Sequence, residues 1–88
     1  MSQYPRKARI PRINDGEWAR LVVAMRLTPR ETDVLRGLMR GGCDKQIGAK
    51  AGIKVPTVRA HLRNMFTRLG VSDRVELVLH VMALLRGD

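Results

Sequence analysis

The stretch from Cys43 to Phe66, CDKQIGAKAGIKVPTVRAHLRNMF, holds two helical patterns separated by one glycine turn. Asp44 or Cys43 opens the first, which runs through Ala51 with Ile47 facing inward, and Gly52 supplies the left-handed residue that ends it. After Ile53 the second runs from about Pro56 to Leu69, where Gly70 terminates it. Ile47, Ile53 and Val58 stand where two crossing helices would pack, so the pair has the spacing of a helix-turn-helix. Successive helical residues advance by about 100°. Val58, Leu62, Met65 and Leu69 therefore share one side of the second helix, and Arg59, Ala60, Arg63 and Thr67 share roughly the opposite side. From Lys54 to Arg68 the segment carries Lys54, Arg59, His61, Arg63 and Arg68 and no acid. Such a one-signed face repels itself unless a polyanion lies against it. A helix of this diameter fits the major groove of DNA, where Arg pairs with guanine O6 and N7.

The flanking segments extend the helical reading in both directions. Leu27 to Glu31, LTPRE, is a start signal: Thr28 caps, Pro29 suits the first helical position, and Glu31 completes the reciprocal box. Val34, Leu35, Leu38 and Met39 then form an apolar stripe that stops at Gly41 and Gly42. Upstream, Asn14 and Glu17 form a further box ahead of Trp18, Leu21, Val22 and Met25, which predicts a short helix from about Asp15 to Arg26. Downstream, Asp73 with Glu76 opens a last helix reaching about Arg86. Residues 1–13 hold Arg6, Lys7, Arg9 and Arg12, two prolines and no acid, the composition of a flexible basic arm. That arm either reaches a minor groove or neighbouring phosphates, or is a solvated tail.

With 88 residues there is room for one domain, and a chain this short buries only about 60% of its unfolded surface. One Trp, one Tyr and one Phe leave the core mainly aliphatic. Seventeen Lys and Arg against eight Asp and Glu give +9, with Arg the commoner base, which favours a polyanionic partner. Cys43 is alone, so no intrachain disulfide forms and a reducing, cytoplasmic compartment is expected. Neither a signal peptide nor a membrane span is expected, since the most apolar segment, Val75 to Leu85, is short and includes Glu76 and His80.

The combination of LTPRE, KQI, the Gly52-Ile53 turn, TVRAHL, LGV and the Arg74-x-Glu76 pair resembles the LuxR-type (GerE, FixJ and NarL-like) helix-turn-helix DNA-binding domain of bacterial transcription regulators, over about residues 27 to 86. The resemblance implies an all-α fold: a four-helix domain over 27–88, to which residues 14–26 add one extra N-terminal helix. It implies that the helix over 56–69 enters the major groove of double-stranded DNA, as a homodimer paired through the last helix. By position, Arg59, Ala60 and Arg63 fall where members touch base edges, and Lys45 and Thr57 where they meet the DNA backbone. Lys54, His61, Asn64 and Arg68 complete the expected backbone set, His61 being either packed or phosphate-facing. Three departures stand out. Lys54 replaces the usual Ser or Thr cap, Gly48 replaces alanine at up to about 1 kcal/mol of helix propensity, and Cys43 and Gln46 replace the Ser and Glu of a capping box.

The last helix is apolar almost all round. Val75, Val78, Leu79, Met82 and Leu85 cover one arc, expected to pack on the domain's own core. Leu77, Val81 and Leu84 extend a second, expected to be the dimer seam unless the N-terminal helix, with Trp18, covers it. Cys43 is expected to be a small, partly buried stand-in for serine. Cys43, His61 and His80 have no metal-ligand spacing, and GLMRGGC lacks the Lys and Ser or Thr of a phosphate loop. No cofactor is expected, and with no nucleophile paired to a base the chain is not expected to be an enzyme. The leading expectation is a sequence-specific transcription regulator, with RNA polymerase or another regulator as a further partner. The alternative is a stand-alone module that heterodimerises with a larger regulator and inhibits it.

Overall fold

The computed structural model of this chain describes residues 12–87. Five helices follow one another with short connections: α1 (Asp15–Met25), α2 (Pro29–Met39), α3 (Asp44–Ala51), α4 (Val55–Leu69) and α5 (Arg74–Arg86). No strand occurs among the described residues. The basic arm expected over residues 1–13 lies, apart from Arg12 and Ile13, outside them.

The helix starts follow local hydrogen-bond chemistry. Asn14 Oδ1 accepts from the Glu17 N–H at 2.8 Å while Glu17 accepts from the Asn14 N–H at 3.0 Å. Thr28 and Glu31 repeat this exchange at 3.1 and 3.0 Å. At α3 Cys43 offers no side-chain cap, but its N–H donates to the Gln46 side-chain oxygen at 3.0 Å, so Gln46 supplies half of a box. Asp73 caps α5 through the Glu76 N–H at 2.9 Å, whereas the Glu76 carboxylate reaches one residue further back, to the Ser72 N–H at 2.8 Å. Each exchange satisfies backbone donors that no helical carbonyl can reach. At the end of α1 the left-handed residue is Arg26, φ 55°, which nothing in the sequence marks.

α2 packs against both α3 and α4, α3 against α4, and α1 against α5. One core joins them: Trp18, Leu21 and Met25 of α1, Val34, Leu35 and Met39 of α2, Ile47, Val58, Leu62, Met65, Leu77 and Val81. The Arg36 guanidinium lies 4.7 Å from the centroid of the Trp18 ring, a cation-π contact that ties α2 to α1.

Gly48 has a packing reason. A Cβ there would lie 2.6 Å from the Ile53 carbonyl oxygen and 3.3 Å from Val58 Cγ2, so the missing side chain lets the turn fold back onto α3. The Ile53 N–H donates to the Gly48 carbonyl at 2.9 Å across that contact. The propensity cost expected of glycine is thus offset by a close approach. Gly52, at φ 73°, sits where a left-handed residue is required.

α5 is covered on more of its surface than expected: Val78, Met82 and Leu85 of the first arc pack against the core, and so does the second arc. Leu77 and Val81 are fully buried in the chain's own core, and Leu84 packs against it. Leu77 and Val81 are not available as a dimer seam, because α1 covers that side with Trp18, Leu21 and Met25. Val75 and Leu79, expected inside, are instead 67% and 61% exposed.

Candidate nucleic-acid interface

α4 presents its apolar residues Val58, Leu62 and Met65 to the core and its cationic residues to solvent. Arg59 and Arg63, one turn apart, are both exposed, and Ala60 beside them is half-buried. The three expected base-reading positions therefore share one outward region. Thr57 and Asn64 on α4, Lys54 ahead of it and Lys45 on α3 are exposed as well. Among the described residues, Lys45, Lys54 and Arg63 form no ion pair within the chain.

Lys54 stands at the N-cap of α4 without a side-chain cap bond, and no acid occupies the first turn. The positive end of the helix dipole thus sits beside an exposed ammonium, an arrangement that attracts phosphate oxygens.

Arg68, expected at a phosphate, is paired within the chain. Its two terminal nitrogens donate to the Glu31 carboxylate at 2.7 and 3.1 Å. Glu31 is 3% exposed, and a buried carboxylate needs a counter-charge, so Arg68 serves the join between α4 and α2. Burial alone would raise the Glu31 carboxyl. The Arg68 guanidinium, the Thr28 N–H and the charge of nearby His61 outweigh it and hold the group below its ordinary value. His61, half-buried, lies on that side of α4. Cys43, expected to be partly buried, is exposed, because the N-cap stands ahead of the first turn rather than inside it.

Asp44, the first residue of α3, is the group the sequence does not reveal. It accepts from Arg59 Nε at 2.9 Å and from both terminal nitrogens of Arg74, one at 2.8 Å. These bonds, Arg74 foremost, hold its carboxyl at about 2, against an ordinary 3.8. One carboxylate therefore joins the starts of α3 and α5 to the second turn of α4. The partners lie 15 and 30 residues from Asp44, distances at which no helical spacing relates them. A further arginine, Arg30, donates to the Ala51 carbonyl at 2.6 Å and satisfies the C-terminal end of α3 from α2.

Two helices packed on one another and joined through Gly52, the second carrying exposed arginines, define a helix-turn-helix nucleic-acid-binding class. The family model for bacterial regulatory proteins of the luxR family matches residues 25–81, and the chain belongs to that family. The probable transcriptional regulatory protein SgaR of Hyphomicrobium methylovorum is 46% identical over 56 residues, 62% of this chain and 26% of that protein. The HTH-type transcriptional regulator MalT of Klebsiella pneumoniae (strain 342) is 32% identical over 74 residues, 84% of this chain and 8% of that protein. The chain thus spans about a quarter or less of the length of these relatives. No solved structure matches it. No helix among the described residues is long and apolar enough to cross a membrane.

Proposed function

We propose that this chain is a sequence-specific, double-stranded DNA-binding module of a transcription regulator, with α4 in the major groove. Arg59 and Arg63 read base edges with Ala60 between them, and Lys45, Lys54, Thr57 and Asn64 hold the backbone. The observation that carries this is the exposed side of α4, where Arg59 and Arg63 stand together in a helix without a single acid. The printed descriptions of the luxR family, SgaR and MalT as regulators support it. The module pairs with a second copy through the exposed arc of α5, Val75 and Leu79, rather than through the buried one.

Selection of duplexes from a random-site library, followed by salt titration, tests the assignment. Arg63→Ala is expected to cost about 1–3 kcal/mol on the selected duplex and to relax base preference. Lys45→Ala is expected to weaken all duplexes alike and to lower the salt slope by about 1. If Arg59→Ala combined with Arg63→Ala binds the selected duplex as well as the parent, the assignment is wrong.

A further inference from the structure

Asp44 meets Arg59 at one point only. The bond runs from Nε to Oδ2 at 2.9 Å, and Arg59 makes no other hydrogen bond or ion pair among the described residues. Its two terminal nitrogens, the fork that matches guanine O6 and N7, are left free at the end of a side chain that is 59% exposed. Asp44 itself is not free to swing. Its side chain is 13% exposed, it begins α3, and Arg74 grips both of its oxygens from the start of α5. A long arginine on a helix surface otherwise loses rotamer freedom when it binds, and each immobilised side chain of this kind costs affinity and angular precision. Here a rigid carboxylate, set by two other helices, removes that freedom before any ligand arrives.

We propose that Asp44 is a positioning residue for base recognition: anchored by Arg74, it holds Arg59 by Nε and aims the terminal fork at a guanine edge. This rests on the DNA-reading function proposed above. Asp44 touches no base. Its carboxylate also repels phosphates, so it raises discrimination between sequences while lowering affinity for DNA in general.

That opposition provides the test. The parent, Asp44→Asn, Arg59→Ala and the double variant are titrated against the duplex selected from a random-site library, its single-base-pair variants and an unrelated duplex. Thermal melts confirm that each protein is folded. Asp44→Asn is expected to lower discrimination roughly 5- to 20-fold at the base pair that Arg59→Ala relaxes, and to tighten binding to the unrelated duplex roughly 2-fold or more at low salt. In the Arg59→Ala background it is expected to have no effect on discrimination. Asp44→Glu keeps the charge but displaces the acceptor by one methylene, and it carries the same test if the asparagine variant does not fold; discrimination falls without a gain on the unrelated duplex. Full discrimination in Asp44→Asn, or an equal loss with Arg59 already removed, overturns the positioning role. A parent that prefers no duplex overturns the DNA-reading function itself, a result distinct from either.

Discussion

The Glu31 carboxylate serves two elements at once, closing the capping box of α2 through the Thr28 N–H and receiving the bidentate Arg68 fork from the end of α4. Half of this was legible. The box is local and follows from Thr28-x-x-Glu31, whereas Arg68 lies 37 residues away and reads in sequence as one more surface base. Arg68→Ala leaves a buried carboxylate without its counter-charge and is expected to cost about 2 kcal/mol, below the range for fully buried pairs because Arg68 is partly wet. Thermal melting reads this as a fall of roughly 8–16 °C. Asp44 gives a pH dependence. Its folded value of about 2 lies below the ordinary 3.8, so its contribution is complete above about pH 4 and disappears as pH falls towards 2. Parent and Asp44→Asn are expected to differ by about 1–2 kcal/mol at pH 6, after allowance for solvent around Arg59 and Arg74. Denaturant titrations should show that gap closing between about pH 4 and pH 2.

Each of the five helices begins where a capping pattern or a proline announces it, because the first turn is decided by residues three or four apart. Rotation about the helix axis is another matter. α2 and α4 have one apolar side and turn it inward, as expected. α5 has two apolar sides, so periodicity could not say which faces in, and the structure buries Leu77 and Val81 while exposing Val75 and Leu79. The neighbours made that choice: Trp18, Leu21 and Met25 occupy one side, and the Asp44 clasp fixes Arg74 at the first turn. At α4, Lys54 leaves the cap empty. Lys54→Ser is expected to stabilise the folded chain by about 0.5–1 kcal/mol, while lowering the salt slope of DNA binding by about 1 through loss of one cation. Melts and salt titrations of the same variant should move in these opposite senses.

For the molecule as a whole, the exposed arc of α5 and the buried one should respond differently to substitution. Leu79→Glu is expected to leave the melting temperature within a few degrees of the parent and to abolish the self-association proposed for this face, read by sedimentation at several concentrations. Leu77→Ala removes a fully buried side chain and is expected to cost about 2–5 kcal/mol of stability. If Leu79→Glu sediments as the parent does, α5 is not the pairing face. The sequence by itself determined the helices, the capping boxes at Asn14 and Thr28, the glycine turn and the cationic side of α4, since all of these depend on residues within a turn or two of one another. Only the tertiary structure decided which side of α5 is covered, that Arg68 is bound to Glu31, and that Asp44 connects Arg59 to Arg74. Those outcomes depend on charges that folding brings together from 15 to 37 residues apart, and on apolar surfaces of α1 and α5 from opposite ends of the chain, where no periodicity relates them.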